Sequence, residues 1–159
     1  MTPPDSGDAI TPAGLEALKA ELADLETNGR RTMSERLLAA RSLGDLKENA
    51  EYHIAKEDQA HLEGKIKRLR DRLRNAAVVE ADASSASFAF GRTAEVLDEE
   101  TGTVHTWTIV GATEADPGQG RLSAESPVAG ALLGRKPGET VEVETLRGTR
   151  KYRIEKLLP

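Results

Sequence analysis

Two runs of apolar residues, spaced alternately three and four apart, constrain the first half of this chain more than any other feature. The first comprises Leu15, Leu18, Leu22 and Leu25, loosens through Gly29 and Thr32, and resumes with Met33, Leu37 and Ala40. The second keeps the spacing throughout: Tyr52, Ala55, Gln59, Leu62, Ile66, Leu69, Leu73 and Ala76. Charged residues fill the outer positions, so each run reads as a helix with a coiled-coil seam. Thr11-Pro12 suits the start of the first helix, because threonine can cap and proline is tolerated at the first helical position. Between the runs lies Gly44-Asp45, a turn signal. Arms of about 30 residues, each on the order of 45 Å at 1.5 Å per residue, joined by one short turn make an antiparallel hairpin. Its far end is Gly44 to Glu48.

After Asn75 the pattern changes. Val78 and Val79 lead into a small-residue stretch, Ala81 to Ser87, that reads as a linker. Strand-like runs then follow at Thr93 to Leu97 and Val104 to Val110, flanking the turn Glu99-Glu100-Thr101-Gly102, with a third at Arg121 to Ala124. Ser126-Pro127 caps a short helix through Leu133, stopped by Gly134. Pro137-Gly138 turns into Val141 to Thr145, and Arg147-Gly148 into Lys151 to Leu157. Strands joined by hairpins with one short helix predict a compact α+β domain with a small antiparallel sheet. The expected organisation is a disordered tail over 1–10, a coiled-coil hairpin over 11–77, a linker over 78–87 and a globular domain over 88–159.

Composition narrows the functions open to such a chain. With 31% charged and 3% aromatic residues, burial should be modest and spread over two units. The absence of cysteine excludes disulfides, thiol chemistry and cysteine-ligated metals. No apolar run approaches the roughly 20 residues that span a bilayer, and the first ten residues lack the features of a signal peptide, so a cytoplasmic protein without membrane contact is expected. A net charge of −5 argues against general nucleic-acid binding, which needs a basic excess.

The hairpin end is where chemistry should be sought. Asp45 and Glu48 are three apart, a spacing that lets both carboxylates face the same side. Magnesium often takes only one or two carboxylates from a protein and keeps several waters. Two carboxylates would hold it weakly, so a second surface would have to supply further ligands. Asp-x-x-Glu is equally a capping box, in which each residue satisfies a backbone N–H of a starting helix. Spacing alone does not separate the two readings.

The string Gly44-Asp45-Leu46-Lys47-Glu48-Asn49-Ala50-Glu51-Tyr52-His53, followed by Ala55-Lys56-Glu57-Asp58-Gln59 and Glu63-Gly64-Lys65-Ile66, closely resembles the signature of the Gre transcript-cleavage factors. The resemblance continues through Asn75-Ala76, Val78-Val79, Ile109-Val110-Gly111, Glu114-Ala115-Asp116, Ser126-Pro127-Val128-Ala129 and Ala131-Leu132-Leu133-Gly134. It runs from Ile10 to the C-terminus. It implies an FKBP-like C-terminal domain that docks at the rim of the secondary channel of bacterial RNA polymerase, and a hairpin that reaches down it. It further implies that the chain, as a monomer, is an accessory factor rather than an enzyme. Asp45 and Glu48 would share a Mg²⁺ with the polymerase, without holding it stably alone, and orient the water that attacks the 3′ end of backtracked RNA. Two metals can stabilise both the attacking and leaving oxygens of such a displacement. Departures are small: Gly130 stands where a basic residue is common, Glu139 replaces a frequent aspartate, and Lys47 occupies a position that varies between lysine and serine.

Other residues invite weaker readings. Arg36, Arg41 and Lys56 near the distal half could form a basic patch touching RNA phosphates, or be a solvated face with helical ion pairs such as Arg41 with Asp45. Asn49, Tyr52 and His53 would support the tip, Tyr52 chiefly by packing in the seam. Lys65, Lys67, Arg68, Arg70, Arg72 and Arg74 read as a solvated face. His53, His61 and His105 lack nearby ligands and are poor metal candidates, and Trp107 belongs in a core. Isomerase activity does not follow from an FKBP-like fold. Two alternatives remain: a binder of the same channel that inhibits without cleavage, against which both acidic tip residues argue, and a coiled-coil scaffold unrelated to transcription.

Overall fold

A computed structural model describes residues 8–44 and 48–159. They fall into two compact units, one spanning Leu15–Asn75 and the other combining Ala76–Pro159 with the residues before Leu15.

The first arm of the hairpin consists of helix α1 (Pro12–Asp24), a single π-type turn (Leu25–Gly29) and helix α2 (Arg30–Arg41). Thr11 caps α1 through its hydroxyl oxygen, which accepts the Gly14 N–H at 3.0 Å. Helical backbone angles persist through both junctions of the π turn, and the Arg30 N–H reaches back five residues to the Leu25 carbonyl. This turn explains the loosened spacing. Leu25, Gly29, Met33 and Leu37 are each four apart where a heptad would alternate four and three. One surplus residue would rotate every later seam position by about 100°. The wider turn absorbs it, and Leu37 and Ala40 return to the buried side with Leu18 and Leu22.

The second arm is helix α3 (Ala50–Asn75), unbroken for 26 residues. Its seam residues Ala55, Ile66 and Leu69 are buried and its charged positions face solvent. Ion pairs Arg36–Asp58 (2.6 Å) and Arg30–Glu63 (2.9 Å) link α2 to α3, the numbers rising on one arm as they fall on the other. Gly29 sits in the seam, where an added Cβ would stand 3.4 Å from Leu62. Of the basic run, Lys65 pairs with Glu21, Arg70 with Glu26 and Arg74 with Asp71. These contacts fit a solvated, ion-paired face.

The other unit is built on a five-stranded sheet in the order β5-β4-β3-β7-β6, from β3 (Thr93–Asp98), β4 (Val104–Val110), β5 (Arg121–Ser123), β6 (Thr140–Thr145) and β7 (Gly148–Leu158). The α+β class, a helical hairpin plus a sheet domain with one short helix, is as expected. The sheet departs from a wholly antiparallel one, because β5 runs parallel to β4. The chain reaches β5 through two short 3-10 turns rather than a tight hairpin, which frees its direction. Ala94, Val96 and Asp98 alternate toward the core along β3. Helix α4 (Pro127–Leu132), capped by Ser126, contributes Ala129 and Leu132 to a core that includes Phe88, Ile109 and Ile154.

Two stretches expected to be unstructured are tied down. Asp8–Ile10 forms strand β1, paired in parallel with β2 (Ala76–Val78), so the tail expectation fails for 8–10, and residues 1–7 lie outside the described residues. Glu114 secures this corner by accepting the backbone N–H groups of Thr11 (2.9 Å) and Gly111 (3.0 Å) together with the Thr11 hydroxyl. The fit excludes side chains: a Cβ on Gly111 would overlap the Ala9 carbonyl. In the linker, the buried Arg92 donates to the carbonyls of Asp82 and Ser85, each at 2.9 Å, so this segment is held against the sheet domain.

Candidate functional site

The tip begins where α2 stops. The N–H of Ser42 reaches back to the Leu38 and Ala39 carbonyls, and that of Leu43 to Ala40, a tightened last turn that uses up acceptors of the helix end. Gly44 follows at φ +126° with open space around it, a conformation that side chains resist. Gly44 therefore has the backbone conformation that a turn there calls for. Asp45, Leu46 and Lys47 lie outside the described residues, so the Asp45 carboxylate and its expected pairing with Arg41 have no described geometry.

Glu48 is exposed in the turn before α3. The capping-box reading required it at the third position of a helix capped by Asp45. Instead α3 starts at Ala50, and the cap is Asn49. Its Oδ1 accepts the Tyr52 N–H at 3.0 Å, the third-residue bond of an N-cap. Its Nδ2 donates to the carbonyl of Ala40 near the end of α2. A carboxylate can only accept, whereas an amide serves a donor of one helix and an acceptor of the other. Asn49 therefore performs the capping, and the Glu48 side chain stands outside the helix.

The three basic residues do not gather on one face. Arg36 and Arg41 are five residues apart on α2, about 140° around the helix, and Arg36 is engaged with Asp58. Arg41 lies over the Tyr52 ring, 5.7 Å from its centroid. Lys56 follows Tyr52 by one helical turn on α3 and bonds Gln59 at 3.2 Å. Arg41, Tyr52 and Lys56 thus share a side that Arg36 does not. Tyr52 is half-buried, with the His53 ring edge-on at 5.8 Å. His105 stacks on Trp107 at 4.6 Å in the sheet domain.

Three apolar side chains went unnoticed in the spacing. Leu38, Leu43 and Ile54 are at least half exposed and flank the turn. They lie beside seam positions, and their departure from the seam was the available signal. Among the described residues, no group of three or more histidine, aspartate or glutamate side chains could hold a metal. Hard carboxylate oxygens are nevertheless the donors that Mg²⁺ prefers, commonly only one or two of them, so the chemistry of Asp45 and Glu48 fits a shared ion. Gly130 has open space where a Cβ would stand, so the room for the basic side chain common there is present. No described helix is long and apolar enough to cross a membrane.

Comparison with known proteins places these features in a family context. Residues 9–78 match the family described as "Transcription elongation factor, N-terminal", and residues 83–159 match "Transcription elongation factor, GreA/GreB, C-term". Transcription elongation factor GreA of Bradyrhizobium diazoefficiens is 44% identical over 149 residues, covering 93% of this chain and 95% of that protein. The factor of the same name from Bacillus velezensis is 43% identical over 148 residues, covering 93% and 94%. A crystal structure of GreA factor homolog 1 (Gfh1) of Thermus thermophilus aligns over 96% of this chain and 99% of its own, with 24% identity and a TM-score of 0.43.

Proposed function

Because this chain belongs to the GreA/GreB family of transcription elongation factors, we propose that it places its hairpin tip in the secondary channel of bacterial RNA polymerase. There it stimulates the polymerase to cut its own backtracked RNA. The observation that carries this reading is the exposed Glu48 just before α3, the helix being capped by Asn49, with Asp45 three residues earlier in the sequence. A narrow pair of helices can enter a passage that a globular domain cannot, and the exposed Glu48 sets a carboxylate at its end beside the exposed Leu43.

Asp45 and Glu48 are the residues that would hold a Mg²⁺ jointly with the polymerase. When bound, the ion supplies electrostatic stabilisation of charge developing on the transferred phosphoryl group. The chain's own contribution is to aim two anionic oxygens and orient the attacking water by hydrogen bonding. Arg41, supported on Tyr52, and Lys56 are suited to meet RNA phosphates from one side, since phosphate contacts fix register. The polymerase remains the enzyme, and this chain acts in the cytoplasm as its accessory.

The test is a stalled, backtracked elongation complex incubated with purified protein. Wild type should shorten the RNA within the complex, and Asp45→Ala/Glu48→Ala should not, while still competing for polymerase. Equal cutting by the double variant overturns the proposal. Slowed synthesis without shortening by wild type would favour the inhibitory reading instead.

A further inference from the structure

We infer that Asn49 is a positioning residue for the cleavage-stimulating tip, acting as a clasp that fixes where Glu48 points. The inference rests on the function proposed above and concerns how the tip achieves it. Asn49 follows Glu48 directly and is half-buried. Its one side chain serves both arms: Oδ1 accepts the Tyr52 N–H at the start of α3, and Nδ2 donates to the Ala40 carbonyl of α2. Its own carbonyl accepts the His53 N–H at 3.2 Å. Beyond Ala40 and Ala55, no fully buried apolar residue of the described tip lies closer to the turn, so the bond from Nδ2 to the Ala40 carbonyl, beside Arg41 over the half-buried Tyr52 ring, joins the two helix ends there.

A backbone joined at Asn49 to both helices leaves the adjacent Glu48 little freedom to drift. Placement matters for such a group, because a misplacement of about 1 Å can cost up to about 100-fold in rate. Serine separates the two bonds. It caps helices about as well as asparagine but is too short to carry an amide donor across to α2. Asn49→Ser should therefore keep α3 capped and lose the clasp. Asn49→Asp also keeps the cap, but sets a carboxylate against the carbonyl-rich end of α2, which disfavours negative charge.

The experiment measures RNA shortening in backtracked complexes across factor and Mg²⁺ concentration, with far-UV circular dichroism of each protein alongside. For Asn49→Ser, the factor concentration giving half the maximal rate should match wild type, as should helix content. The maximal rate should fall about tenfold or more, and the Mg²⁺ needed for half-maximal cleavage should rise. Asn49→Asp should show the same pattern. A variant that matches wild type in maximal rate and Mg²⁺ dependence overturns the inference. So does a loss that appears only as weaker polymerase binding or lost helix, since that is what a merely structural role would give. If wild type itself fails to shorten RNA, the functional reading fails, an outcome distinct from wild-type cutting matched by Asn49→Ser.

Discussion

The hairpin and the sheet domain solve the problem of staying ordered in different ways. In the hairpin, burial is confined to a stripe of residues such as Leu22, Leu37, Ile66 and Leu69, and most of each helix faces water. In the sheet domain, Phe88, Val96, Ile109, Leu132 and Ile154 converge on one core and are almost wholly excluded from solvent. A stripe gives each turn of helix only its local partners, so order can be lost piecemeal from an end. A convergent core binds its elements into one cooperative transition. The tip therefore depends on a polar clasp where the sheet domain depends on packing.

The sharpest way to break this contrast is Ile66→Ala. Removing a fully buried isoleucine should cost about 2–5 kcal/mol. The loss should lower the melting temperature of the helical circular dichroism signal while the near-ultraviolet signal of Trp107, the one tryptophan, melts as before. If both signals shift together, the two regions unfold as one and the contrast is wrong.

Next in size is Asp98→Asn. Asp98 is buried at the end of β3, accepts the Glu100 N–H at 3.0 Å and pairs with Arg150 at 3.0 Å. Burial alone would raise its carboxyl pKa. The backbone N–H groups of Glu100 and Thr101 and the Arg150 guanidinium outweigh it and hold the pKa below the ordinary range. The variant should destabilise the sheet domain by about 1–3 kcal/mol, now moving the Trp107 transition and sparing the helical one. A depressed carboxylate stabilises above its unfolded pKa, about 3.9, and that stability is lost as pH falls through the lower folded value. Wild type should thus lose sheet-domain stability as pH drops below about 4, and Asp98→Asn should show less of that loss. Identical acid profiles for the two proteins would remove Asp98 from the account.

The smallest effect sharpens the account of the hairpin. Deleting Arg31 leaves seam spacings of four and three between Leu25 and the residues that follow, so the π turn is no longer required. Hairpin stability should change by less than about 1 kcal/mol, a mild outcome because the seam keeps its phase. A large loss of helical signal would mean that the wide turn does more than absorb one residue.

Much of this architecture was legible beforehand, for identifiable reasons. The seam positions, the turn conformation of Gly44, the β3–β4 and β6–β7 hairpins and the Ser126 cap all follow from short-range patterns, and short-range bonds realise them. What escaped depends on distance or on competition. The β1–β2 pair joins three-residue strands from opposite sides of the hairpin in sequence, and no local periodicity marks so short a strand. Asn49 was expected to support the tip, but its capping and cross-arm bonds were overshadowed by the Asp45-x-x-Glu48 spacing, a stronger local pattern that took no account of an acceptor on α2. The divergence of Arg36 from Arg41 could have been read from the helical period; grouping them by proximity to the tip concealed it. The half-buried pair of Asp98 with Arg150 was hidden because its partners lie 52 positions apart, beyond the reach of any local pattern.

The Glu114 contact carries a consequence for how the chain matures. Its carboxylate grips Thr11, 103 positions earlier in sequence, so the first helix is anchored at its root by a loop that leaves the ribosome late. The hairpin, whose partners are nearer in sequence, can zip first, since contacts of short separation form fastest. Its foot stays unfastened until the β4–β5 connection has been made. A fragment ending near residue 80 would accordingly possess the rod without the lock that secures its beginning.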